Sequence, residues 1–109
     1  MKRFLTSLVA LAVTATAASV AHAADKLTLQ LQWVTQAQFA GYYVALDKGY
    51  YKEEGLDVTI KPGGPDIAPP QVLAGGGADL MLNWMPSALA AREKGVPLVN
   101  ICLLYTSPS

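Results

Sequence analysis

Leu27, Leu29 and Leu31 alternate with Thr28, Gln30 and Gln32, the two-residue period of a β-strand with one apolar face. Past Trp33-Val34-Thr35 the period changes. Phe39, Ala40, Tyr43, Val44 and Asp47 recur at helical spacing, and Gly49 supplies a stop. Residues 50–54 predict one further helical turn, ended by Gly55, and residues 56–60 (LDVTI) predict a second strand cut off by Pro62-Gly63-Gly64-Pro65. Asp66 is a candidate N-cap for a helix over 69–74, where proline is tolerated in the first turn and Gly75-Gly76-Gly77 ends the run. Residues 78–82 predict a short third strand, 86–94 a third helix closed by Gly95, and 96–101 a fourth strand. Strands alternating with helices predict an α/β fold, a parallel βαβαβ sheet with right-handed crossovers.

The two ends of the chain read differently from its middle. Met1-Lys2-Arg3 is a positive start, residues 4–20 are apolar, and Ala21-His22-Ala23 sets small residues where a signal peptidase reads. Residues 1–23 are therefore expected to be a signal peptide cleaved after Ala23, leaving a soluble exported product. The apolar run is short for a membrane span of about 20 residues, which disfavours an uncleaved anchor. Residues 102–109 (CLLYTSPS) break with the composition before them and resemble the in-frame translation of a transposase adapter used in sequencing libraries. They are expected to be a non-native scar, with the natural sequence departing from them after Ile101. An unchanged CLLYTSPS on resequencing the locus would instead mark a natural hydrophobic strand.

Trimming both ends removes several chemistries. Cys102 is the one cysteine and His22 the one histidine, so residues 24–101 offer no disulfide, no thiolate or imidazole metal ligand and no imidazole base. Six basic residues face eight acidic ones there, with no basic stripe for nucleic acid and no basic amphipathic helix for a membrane surface. A segment of roughly 80 residues buries only about 60–65% of its unfolded surface, so it is expected to be marginal alone.

Three stretches carry a specific resemblance: QAQFAGYY from Gln36, KGYYKEEGLD from Lys48 and AAREKGVPL from Ala90, with KPGGPD between the last two. The chain resembles the periplasmic solute-binding proteins of ABC importers, in the branch related to fungal thiamine-pyrimidine synthases and to sulfonate-, taurine- and nitrate-binding proteins. The resemblance covers residues 26–101. It implies a periplasmic-binding-protein type II lobe, with residues 24–101 as the N-terminal part of lobe one and the second lobe missing. It further implies a periplasmic receptor that closes on a small molecule, delivers it to an ABC permease at the inner membrane, and is monomeric at full length.

Ligands of open α/β sheets bind at the carboxyl ends of the strands, which directs attention to the strand exits. Trp33 follows the first strand and offers a stacking face for a flat heterocycle. Packing under a loop is the alternative, and the resemblance favours stacking. Tyr42 and Tyr43 point about 100° apart on a helix, so both cannot face one cleft. Tyr43 shares the Phe39 face and is assigned to the core, Tyr42 to the pocket. Gln36 and Gln38 supply amide donors and acceptors, although solvation is the common fate of a surface glutamine.

Gly63, Gly64 and Asp66 either bring backbone N–H groups to a ligand or form only a tight turn. Asn83 and Trp84 follow the third strand and add a second aromatic wall. Nothing here has the Lys-Ser/Thr of a phosphate-binding loop. The expected ligand is a heterocycle of the thiamine-precursor pyrimidine class, with an oxyanion (sulfonate, taurine or nitrate) as the alternative. No arginine stands at a strand–helix junction to favour the oxyanion. The related synthases use a pyridoxal phosphate Schiff base on lysine, for which Lys48 and Lys61 are the amines to consider. The export signal and the missing histidine point instead to a binding protein with no cofactor.

Overall fold

A computed structural model describes residues 22–104. The expected signal peptide thus lies outside the described residues except for His22 and Ala23, which are exposed and irregular, as are Cys102–Leu104 at the other end.

The alternating leucines form β1, Asp25–Gln30. A 3-10 turn, Ala37–Phe39, leads into α1, Ala40–Asp47. Gly49 then adopts φ 79°, a left-handed conformation that a side chain would strain, and turns the chain into α2, Tyr50–Glu53. Next come β2, Leu56–Lys61, and α3, Pro69–Ala74. After them come β3, Leu80–Met81, and α4, Met85–Glu93. The sheet order is β2-β1-β3 with both pairings parallel, so β1 is central.

That central place explains why the two-residue period of the sequence does not appear in the burial of β1. Burial deepens along the strand until Leu29, Gln30 and Leu31 are all buried, whichever side they point to. Leu29, Leu31, Phe39 and Val58 form the core, with Tyr42, Tyr43 and Tyr51 packed against it. α1 and α2 pack near β2, and α3 against β1 and β3.

Three expectations need correction. Asp66 does not cap α3: the cap position is Ala68 and carries no side-chain hydrogen bond, while Asp66 lies exposed in a turn. The first two helical residues, Pro69 and Pro70, have no N–H for a cap to serve, and the Gln71 N–H already donates to the Ala68 carbonyl at 2.9 Å. The third strand is shorter than 78–82, although its hydrogen bonds to β1 run on at both ends, from Asp79 N–H to Thr28 O and from Leu82 N–H to Gln30 O, each 2.9 Å. The fourth strand, 96–101, is not formed. Pro97 removes a ladder donor there, Leu98 donates locally to the Val96 carbonyl, and a strand without a paired neighbour leaves its backbone groups to water.

Candidate functional site

The chain leaves β1 through Gln32 and Trp33 and leaves β3 through Leu82, Asn83 and Trp84. Because β1 and β3 are parallel neighbours, both exits fall at one edge of the sheet. A cleft of about 660 Å³ opens there. Trp33, Asn83 and Trp84 border it from the strand exits, and Gln36, Gln38 and Tyr42 from the 3-10 turn and α1. Six of the nine residues singled out by sequence thus meet at one place.

The aromatic walls differ in freedom. Trp33 is 42% exposed and Trp84 68%, whereas Tyr42 is half-buried against the core. Burial pushes the Tyr42 phenol above its ordinary value, and neighbouring Cys102 and Tyr51 add to the shift. The Tyr51 hydroxyl donates to the Tyr42 carbonyl at 3.3 Å, and burial raises the Tyr51 phenol as well. Tyr43, assigned to the core, packs there, with its hydroxyl 3.1 Å from Thr35 Oγ1.

The amides are partly paired. Gln38 Nε2 donates to Gln36 Oε1 at 2.9 Å, and Asn83 Nδ2 to Ser87 Oγ at 3.2 Å. A second cleft of about 410 Å³ shares Gln32, Trp33 and Asn83 with the first and is bordered by Gly64 and Ser87. Gly63 and Asp66 border neither cleft. The Gly63 N–H, which the sequence offered to a ligand, donates to the Trp33 carbonyl at 2.9 Å.

Sequence reasoning missed Gln32, Phe39, Leu82 and Leu104 as cleft residues, the last lying in the segment expected to be a scar. Gln32 lies two residues past the end of β1 at Gln30, but the alternation assigned it to a polar strand face. Lys48 and Lys61 stand outside both clefts, and Lys61 Nζ donates to the Gly77 carbonyl at 3.3 Å. Among the described residues no cluster of His, Cys, Asp and Glu fits a metal ion, and no helix is long and apolar enough to cross a membrane.

A parallel α/β sheet with an aromatic and amide cleft at its strand exits is the architecture of part of a periplasmic-binding-protein-like lobe. The sequence profile of the NMT1/THI5-like family matches residues 36–109, and the chain belongs to that family. Over 91 residues it is 35% identical to the formylaminopyrimidine-binding protein of Halalkalibacterium halodurans, covering 84% of this chain and 28% of that one. Over 86 residues it is 34% identical to a 4-amino-5-hydroxymethyl-2-methylpyrimidine phosphate synthase of Saccharomyces cerevisiae, covering 77% of this chain and 25% of that one. The enzyme of the same name from Candida albicans matches at the same identity and coverage. The chain therefore spans about a quarter of the length of these curated relatives.

Proposed function

We propose that this chain belongs to the substrate-binding component of an ABC importer. It captures a heterocycle of the thiamine-precursor pyrimidine class in the periplasm and hands it to a permease at the inner membrane. The observation that carries this reading is the convergence of Trp33, Tyr42 and Trp84 with a glutamine pair on one cleft. Indole and phenol faces stack on a flat ring, and the amides select among rings by their edges. The Gln36–Gln38 bond uses one donor and one acceptor and leaves the Gln36 amide hydrogens and Gln38 Oε1 for other partners. An aminopyrimidine edge, with a ring nitrogen that accepts and an amino group that donates, complements that set. The name of the H. halodurans relative supports the same ligand class.

Binding rather than catalysis is the reading the site favours. The synthase relatives raise the question of a pyridoxal phosphate Schiff base, but the cleft that gathers Trp33, Tyr42 and Trp84 has no lysine on its border: Lys48 and Lys61 border neither cleft, and Lys94 borders only the second. For an oxyanion, Arg92 is the arginine of the described residues, and it too borders neither cleft. Export by cleavage after Ala23, a natural sequence that departs after Ile101, and a monomeric full-length receptor complete the proposal.

The test is tryptophan fluorescence of the full-length gene product, titrated separately with formylaminopyrimidine, taurine and nitrate. A saturable change with the pyrimidine is expected, weakened about tenfold in Trp33→Ala and Trp84→Ala. Saturation by taurine or nitrate alone would overturn the ligand class, and an absorbing lysine–pyridoxal adduct would overturn the non-enzymatic reading.

A further inference from the structure

Gln30 is the one buried polar side chain among the described residues, only 1% exposed, and it touches no ligand cleft. Its Nε2 lies 2.9 Å from the Leu31 carbonyl, 3.1 Å from that of Pro62 and 3.3 Å from that of Lys61. Two amide hydrogens are shared among three carbonyls at the place where the β1–β2 ladder stops, since Gln30 opposite Lys61 is its last pair. An apolar side chain in that position would deprive the Leu31 and Pro62 carbonyls of this donor, while the Lys61 carbonyl would keep the Leu31 N–H at 2.8 Å, which is why a buried amide is tolerated there.

One residue further on, the exits of β1 and β2 come into backbone contact. A Cβ on Gly63 would lie 2.5 Å from the Gln32 carbonyl carbon and 2.6 Å from the Leu31 oxygen, both immovable backbone atoms. The φ of Gly63 is not in the left-handed region, so the position requires empty space rather than conformational freedom. That closeness lets the Gly63 N–H reach the Trp33 carbonyl.

We propose that Gln30 and Gly63 are positioning residues for the cleft: they clasp the end of β2 to the end of β1 and thereby set the course of Gln32 and Trp33. This rests on the binding role proposed above, though the clasp itself exists without a ligand. Asp79 provides the contrast. Its Oδ2 accepts the Thr28 N–H at 2.8 Å and its own N–H donates to the Thr28 carbonyl, pinning β3 to β1 on the side away from the Trp33 exit.

Fluorine NMR of the full-length gene product labelled with 5-fluorotryptophan tests this, the Trp33 resonance being the one lost in Trp33→Phe. Without ligand, Gly63→Ala and Gln30→Met are expected to shift or broaden that resonance, while Asp79→Ala lowers the melting temperature and leaves it in place. Formylaminopyrimidine affinity is expected to fall about tenfold in the first two variants, as misplaced binding groups do. An unmoved Trp33 resonance in Gln30→Met overturns the inference, as does an equal shift in Asp79→Ala. If Gly63→Ala does not fold, Gln30→Met decides alone. Absence of pyrimidine binding in the unaltered protein would sink the ligand assignment and leave the ligand-free NMR result to judge the clasp.

Discussion

Trp33 and Trp84 keep much of their surface in water, and large aromatic side chains are on average well buried. Two of them stand at the mouth of one cleft, and under the proposed function a stacking ligand would cover them. The tyrosines behind them are a different case. Burial raises the phenol of both Tyr42 and Tyr51 above the ordinary 10.0, so the folded chain holds these protons more tightly than the unfolded one. The stabilisation is fully present below pH 10.0 and is lost as pH rises through the elevated folded values. Thermal denaturation from neutral to strongly alkaline pH is expected to show a falling melting temperature above that point, and Tyr42→Phe with Tyr51→Phe should flatten the fall. An equally steep decline in the double variant would mean other groups govern alkaline unfolding.

None of the helices among the described residues can stand by itself. The longest of these, α4, has 9 residues and α2 only 4, whereas isolated helices shorter than about 12–15 residues are marginal in water. α1, α2 and α3 persist because the sheet offers them an apolar face, and that face is narrow: Leu29, Leu31 and Val58, with Phe39 of the 3-10 turn packed against them. Leu31, with 0% exposure, sits where β1 gives way to the cleft loop. Leu31→Ala is expected to cost about 3 kcal/mol in urea unfolding, through lost transfer energy and an unfilled cavity. Val44→Ala on the exposed side of α1 should change stability by about 0.5 kcal/mol or less. Comparable losses at the two positions would mean that α1 is buried in the working protein.

At the scale of the whole molecule, apolar surface is left over. Leu89, Val99 and Ile101 are exposed, and only six hydrophobic side chains among the described residues are buried. Residues 24–101 expressed alone are therefore expected to unfold in urea over a broad transition and to bind a hydrophobic dye. The full-length gene product should unfold more steeply and bind less dye. A sharp transition in the short polypeptide would show that this unit is self-sufficient. The order of elements was legible in the chain itself, because strand and helix periods and glycine stops are local properties. Trp33 and Trp84 were found as candidates for the same reason: each follows directly on a readable strand. What no local pattern contains is which strand lies in the middle. Tertiary structure put β1 between β2 and β3, and that placement buried Gln30 against its apparent polar face. It pressed Gly63 against the Gln32 backbone rather than a ligand, and it brought two exits 50 residues apart in the chain to one cleft. The same dependence on neighbours kept 96–101 from becoming a strand, since extended backbone is stabilised by hydrogen bonds to another strand and not by its own sequence.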